Sequence, residues 1–414
     1  MRYLVPEIVR LFSEEQKMCL IAGPRQVGKT TLARHVLNLP PKDSGRSARS
    51  SAYFNWDIDS DRKAILKSPE DFWLRTGGSE RPPVRLALDE IHKFPRWKRF
   101  LKGLYDAHRN DLEILVTGSG RLDLYQRGGD SLFGRYQLYH LHPFTLGEML
   151  AADRSTVVPP RDFWQRVSEW NPPKHAIDSL RELEQFTGFP EPLFAGSETR
   201  LRRWHRSHET LVVREDLRDL TRIRELGLIE ALIALLPERI GSPLSINALR
   251  EDLGVRFETV RNWLEALARL FFLFSIKPYA GKLARTLRRE QKVYFYDFSG
   301  IAEPGARFEN LVALHVWKLC HVWNEFGYGN FSLYYVRDRE KREVDFLLTD
   351  QGKPYALFEA KLTASEIDPA LRYFADRLKP HYAVQVVRNP ERFSRGFVTK
   401  GILLVPATQL LAAI

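Results

Sequence analysis

Gly23-Pro24-Arg25-Gln26-Val27-Gly28-Lys29-Thr30 stands between an apolar run, Leu20-Ile21-Ala22, and a helical start, Thr31-Leu32-Ala33. No other stretch constrains the fold so tightly, because a strand must end, a loop must turn and a helix must begin within a few residues. The glycines let the backbone wrap an anion, so that amide N–H groups and the helix N-terminus face its negative charge. The spacing G-x-x-x-x-G-K-[ST] predicts that the anion is the phosphate chain of a nucleoside triphosphate, ATP, cradled from Gly23 to Thr31. Lys29 then reaches the β- and γ-phosphates, and the Thr30 hydroxyl ligates Mg²⁺.

Short apolar runs at Ala52-Tyr53-Phe54, Arg85-Leu86-Ala87-Leu88 and Ile114-Leu115-Val116 alternate with helical patterns up to about residue 150. That alternation predicts a parallel sheet flanked by helices. Leu86-Ala87-Leu88-Asp89-Glu90 places two carboxylates just past a buried strand. Asp89 is expected to hold the Mg²⁺ through water, and Glu90 to orient or deprotonate the attacking water. The alternative for either carboxylate alone is an acidic N-terminus for the next helix. After the following strand, Val116-Thr117-Gly118-Ser119-Gly120 offers Thr117 and Ser119 as sensors of the γ-phosphate, or else a tight turn. Arg135, in Leu132-Phe133-Gly134-Arg135-Tyr136, is a candidate arginine finger for a neighbouring subunit's nucleotide, or one half of an intramolecular salt bridge.

The order of these motifs, with Asp89-Glu90-Ile91-His92-Lys93, Trp97, Thr117-Gly118-Ser119, Gly134-Arg135 and Pro143-Phe144-Thr145-Leu146-Gly147-Glu148, resembles the prokaryotic AAA+-type ATPases that carry an uncharacterised C-terminal domain. The resemblance covers nearly the whole chain. It implies an AAA+ core that works as a homo-oligomer, expected as a hexameric ring, with Asp89-Glu90 as the Walker B pair.

At 414 residues the chain is too long for one core, and two or three domains are expected. Lys and Arg number 63 against 52 Asp and Glu, a net charge of +11, which favours a polyanionic partner. Cys19 and Cys320 cannot build a disulfide framework or a zinc site, which fits a reducing compartment. The apolar run Leu270–Ile276 falls far short of the ~20 residues of a membrane span, and no apolar leader follows Met1. A cytoplasmic protein without a membrane partner is expected.

Val157–His175 holds two Pro-Pro pairs and no clear period, and reads as an insertion or connection; residues 176–225 look helical, interrupted at Gly188–Pro192. Ser245 can N-cap a helix through Leu253, the turn Gly254-Val255-Arg256 follows, and a second helix buries Val260, Trp263, Leu264, Leu267 and Leu270. With a strand at Phe271–Ile276, this is the outline of a winged helix-turn-helix. Arg256, Thr259, Arg261 and Asn262 lie off the apolar face and are candidate DNA contacts, unless the unit is only a spacer. A basic connector follows, with Arg285, Arg288, Arg289 and Lys292.

Beyond it, Glu343-Val344-Asp345-Phe346 and Phe358-Glu359-Ala360-Lys361-Leu362 resemble the PD-(D/E)xK nuclease fold. The resemblance implies Asp345 and Glu359 as Mg²⁺ ligands, with Lys361 positioning the attacking water; Glu309 could add a carboxylate from the first helix. Glu359 and Lys361 share one strand face. A strict two-residue turn at Gln351-Gly352 would pair Asp345 with Phe358 and put it on the wrong face, so the site needs a longer turn or a bulge. The alternatives are a surface ion network or a nucleic-acid clamp that does not cut.

The resulting expectation is an α/β chain: an AAA+ P-loop core at 1–155, an insertion and helical lid at 156–225, a winged helix at 226–282, and a restriction-endonuclease-like α/β domain at 283–414. ATP turnover is expected to act on branched, forked or single-stranded DNA. The rival is an ATP-dependent switch or scaffold whose nuclease-like domain is inactive.

Overall fold

A computed structural model describes residues 2–39, 50–76, 83–118, 122, 132–150, 157–217, 225–279, 290–363, 366–389, 397–399 and 401–414. The chain divides into two compact units, Met1–His142 and Pro143–Ile414. Ser119 and the arginines of the basic connector lie outside the described residues.

The first unit is built on a five-stranded sheet: β1 (Met18–Ala22), β2 (Ser51–Asn55), β3 (Val84–Asp89), β4 (Leu112–Thr117) and β5 (Tyr136–His140). The order is β2-β3-β4-β1-β5, and every pairing is parallel. β1, β3 and β4 are buried along their whole length, as central parallel strands covered on both faces must be. Two charged residues in this core are buried as a pair. Arg85 on β3 meets Glu113 on β4 at 2.7 Å, and its guanidinium also donates to the Val36 and Leu39 carbonyls at the end of the helix Lys29–Leu37. Arg85 thus adds a charged donor at the C-terminal end of that helix, where carbonyls lack their full set of intrahelical partners. Register aligns Ile21, Thr117 and Asp89 across β1, β4 and β3, so three strand ends open at one level of the sheet edge.

The second unit joins a helical segment to an eight-stranded sheet of order β12-β13-β11-β10-β9-β8-β6-β7. Its strands are β6 (Leu273–Pro278), β7 (Lys292–Phe295), β8 (Phe331–Arg337), β9 (Glu343–Asp350), β10 (Lys353–Lys361), β11 (Tyr382–Val387), β12 (Phe397–Thr399) and β13 (Ile402–Pro406). The long helix Pro304–Glu325 is buried along most of its length. It starts at Glu303, whose carboxylate accepts from the Gly305 and Ala306 N–H groups. Asn310, about two turns further on, exchanges two hydrogen bonds with the Phe295 backbone and clamps the helix to β7.

Two sequence expectations change here. Pro160–Glu169 is a helix, where no period was expected. Pro160 occupies its first turn, where a missing N–H costs nothing, and Phe163, Trp164 and Val167 form its buried face. The helices Ile246–Leu253 and Phe257–Arg269 form as anticipated, with Ser245 accepting from Ala248 N and Gly254 at φ +65° closing the first. β6 and β7 follow as an antiparallel pair, and β6 also pairs through Lys277 and Pro278 with Tyr334 and Tyr335 of β8. The strand expected to finish the helix-turn-helix therefore extends the C-terminal sheet as well. Strand pairing is nonlocal, and a basic connector in the sequence does not reveal it.

Candidate functional sites

The nucleotide-type loop leaves β1 with Gly23 at φ +154° and enters its helix through Gly28 at φ +99°. A Cβ at Gly23 would stand 2.4 Å from the Leu141 carbonyl oxygen, so only glycine lets the loop pass there. The Lys29 ammonium folds onto the loop and donates to the Gly23 and Pro24 carbonyls at 2.9 and 2.6 Å. Asp89, 4% exposed at the end of β3, accepts from the hydroxyls of Thr30 at 2.7 Å, Tyr53 at 2.7 Å and Thr117 at 2.5 Å. One carboxylate thereby ties β2, β3, β4 and the loop's helix together. Glu90 sits beyond it at φ +56°, a left-handed conformation that a non-glycine residue adopts only under strong local constraint. Burial raises its pKa, against the nearby Lys93 and Lys29 charges. His92 packs below, its Nε2 3.6 Å from Glu90, in a space that a Cβ at Gly118 would close. Thr30 and Asp89 offer the oxygen donors a Mg²⁺ ion takes, so this part of the site fits the metal.

In the second unit the residues expected to converge do so by the irregular register the sequence demanded. Asp350 pairs with Lys353 across Gln351-Gly352, and the ladder then slips between Pro354 and Ala356. Tyr355 is the extra residue; its ring lies against Trp323 and Phe331, and its hydroxyl accepts from Trp164 Nε1 at 3.1 Å. From there Phe358 faces Phe346, which sets Glu359 opposite Asp345. The two carboxylates lock the strands by reciprocal bonds. Asp345 N donates to Glu359 Oε2 at 3.2 Å, and Ala360 N donates to Asp345 Oδ2 at 3.0 Å. Lys361 bridges Glu359 at 2.8 Å and Asp368 at 3.0 Å.

A cation that sequence reading left in a connector sits at the centre of this group. Lys292, at the start of β7 and 0% exposed, holds its Nζ 2.8 Å from Glu343, 3.1 Å from Glu309 and 3.5 Å from Asp345. The Tyr294 hydroxyl donates to Glu309 at 2.7 Å. Burial, with the Asp345 charge added, raises the Glu309 carboxyl to about 7 and the Glu359 carboxyl to about 8. The surrounding carboxylates raise the Lys292 pKa despite its burial, so the ammonium stays charged. The centre of the carboxylates already holds a positive charge, and as arranged it does not fit a divalent ion.

Residues 15–150 match the AAA domain family. An AAA-type ATPase is thereby supported. Residues 177–303 and 304–410 match two further families, each described as a domain of unknown function, DUF8612 and DUF4143. Uncharacterized proteins of Mycobacterium tuberculosis and Mycobacterium bovis are each 25% identical over 403 residues, covering 95% of this chain and 80% of theirs. Among solved structures, the Pif1 helicase from Bacteroides in complex with ADP-AlF3 and ssDNA aligns at 14% identity and a TM-score of 0.22, over 44% of this chain and 49% of that one. PCH-2 of C. elegans aligns at 15% identity and a TM-score of 0.28, over 63% and 66%. The chain thus spans less than two thirds of either structure.

Arg135, just before β5, forms a two-pronged ion pair with Asp106, at 2.6 and 3.1 Å. Arg256, just before the helix Phe257–Arg269, and Arg261 and Asn262 on it are exposed, and Thr259 is half-exposed. Arg261 also borders a cleft of about 370 Å³ that includes Asn247, Glu265 and Gln291. The Pro143–Glu148 motif proves to be a packing hub of the second unit. Lys318, 2% exposed, donates to Thr145 Oγ at 2.8 Å and the Ile414 carbonyl at 3.1 Å, and lies 3.2 Å from Glu148. Leu146 N donates to His315 Nε2 at 3.2 Å, and a Cβ on Gly147 would meet the Ala412 carbonyl oxygen at 2.9 Å. No described helix is long and apolar enough to cross a membrane.

Sequence reading missed Tyr53, Lys292, Tyr294 and Glu343. Tyr53 carried a faint signal, a polar aromatic on a strand beside the one that ends in Asp89. The other three come together only through strand pairing.

Proposed function

We propose that this chain binds ATP with Mg²⁺ at Gly23–Thr31 and couples hydrolysis to work on DNA as a homo-oligomer. The observation that carries the ATP reading is the meeting of Thr30, Asp89 and Thr117 at one edge of three adjacent strands. In this reading Lys29 exchanges the Gly23 and Pro24 carbonyls for phosphate oxygens, and the helix N-terminus faces the same charge. Thr30 and Asp89 hold the metal, whose chemistry is to neutralise charge on the β- and γ-phosphates. Glu90 holds the attacking water; its raised pKa brings it nearer to the range in which a base is useful. Thr117 orients Asp89 and in this reading senses the γ-phosphate. Arg135 acts across a subunit boundary only if it leaves Asp106.

DNA as partner is supported by the +11 charge, by the exposed Arg256 at the N-cap of a helix that follows a glycine turn, and by the exposed Arg261 and Asn262 on that helix. Binding of labelled forked, duplex and single-stranded DNA across a salt series, with ATP turnover read in parallel, tests it. A basic footprint gives a steep salt slope and turnover stimulated by DNA. No affinity at low salt, or turnover indifferent to every DNA, would sink the DNA reading and leave the ATPase standing.

A second reading is favoured by Lys292: the C-terminal domain has the nuclease-like arrangement of Asp345, Glu359 and Lys361 but recognises a partner without cutting it. Mg²⁺- or Mn²⁺-dependent cutting that is lost in Lys361→Ala and survives Lys29→Ala would reject it.

A further inference from the structure

A metal-binding nuclease site does not require Lys292, yet its ammonium occupies the middle of the C-terminal cluster. Its ammonium has three protons, and three carboxylates from two elements surround it: Glu309 from the long helix, Glu343 and Asp345 from one face of β9. Each neighbour is held in turn. Glu309 accepts from Tyr294 and rests its other oxygen on Gly241, where a Cβ would come within 2.7 Å of it. Glu343 also meets Arg337 at 2.6 Å, and Asp345 accepts from Ala360 N. Asn310 fixes the helix to β7 beside Lys292, and Tyr335 covers the ammonium with its ring centroid 5.6 Å away.

We propose that Lys292 is the resident cation of this cluster and keeps divalent metal from Glu309, Glu343 and Asp345. A Mg²⁺ ion needs near-octahedral oxygens at about 2.0–2.1 Å. Placed among these oxygens it would stand roughly one hydrogen-bond length from a charged ammonium. Lys292 cannot swing away, because it is fully buried at the start of a paired strand. The inference rests on the nuclease-like reading of the domain. It makes the cluster a latent metal site, with the charge that metal-assisted hydrolysis would import already supplied by the chain.

Mn²⁺ titration of the full-length protein without nucleotide, followed by the electron paramagnetic resonance of the free ion, tests it. Wild type and Asp345→Asn are expected to bind the same number of ions, since no ion uses Asp345. Lys292→Ala is expected to gain one equivalent, absent from Lys292→Ala/Asp345→Asn. Wild-type binding that Asp345→Asn removes would overturn the proposal, as would a folded Lys292→Ala that gains nothing. If Lys292→Ala does not fold, the comparison of wild type with Asp345→Asn still decides. DNA affinity and ATP turnover are separate readouts, so their failure would strike the proposed function and not this inference.

Discussion

Tyr53→Phe removes one oxygen atom from the first unit and should slow ATP turnover about tenfold. The hydroxyl donates to Asp89 Oδ2 at 2.7 Å, beside Thr30 on the same oxygen. Burial and the Asp89 charge push the Tyr53 phenol up to about 12, so it stays a donor through the physiological range. A hydrogen bond to a charged group contributes about 1.5–3 kcal/mol. Tyr53 is half-buried, so water can replace part of the bond, and the lower end of that range applies. About 1.4 kcal/mol corresponds to a factor of ten in kcat/KM. The ring itself remains, and with it the stacking of the Arg34 guanidinium 4.9 Å from its centroid, so packing should be conserved. Steady-state turnover over a matrix of ATP and Mg²⁺ concentrations measures the effect. Thr117→Val, which strips the other Asp89 oxygen, should cost at least as much, and the double variant should lose less than the sum because both act through Asp89. A Tyr53→Phe enzyme within twofold of wild type in kcat/KM would refute the idea that this hydroxyl positions Asp89.

Lys318→Met should destabilise the second unit by about 3–5 kcal/mol in urea unfolding, because it leaves Glu148 buried without its cation, and Lys318→Met/Glu148→Gln should recover part of the loss. The Glu359 carboxyl is raised from 4.5 to about 8, so the folded chain keeps a proton that the unfolded chain releases. Its contribution is full below about pH 4.5 and is lost as pH rises toward 8; Glu359→Gln should flatten the pH dependence of the urea midpoint across that window, and an unchanged slope would contradict the shift. Arg135→Ala should leave the unfolding midpoint where it is, since the pair with Asp106 is exposed, yet abolish turnover without loss of nucleotide binding. Intact turnover would reduce Arg135 to that pair.

By itself the sequence determined the nucleotide-type loop, the parallel strands behind it and the Asp89-Glu90 pair. Their chemistry is written in adjacent residues, and a buried parallel strand announces itself as an apolar run. It also stated the condition for the C-terminal site, a shift of one residue between Asp345 and Glu359, because strand faces alternate with period two. Only the tertiary structure decided how that shift is made: Tyr355 bulges out of β10 to lie among Trp323 and Phe331, partners distant in the chain. The same holds for Tyr53 reaching Asp89 from a neighbouring strand, and for the Pro143–Glu148 motif closing on Lys318. Lys292 is the clearest case. In the sequence it ends a basic connector; in the fold, the pairing of β6 with β7 and the Asn310 clamp bury it among three carboxylates. A charge's environment is set by what packs round it, and none of those neighbours lies beside it in the chain.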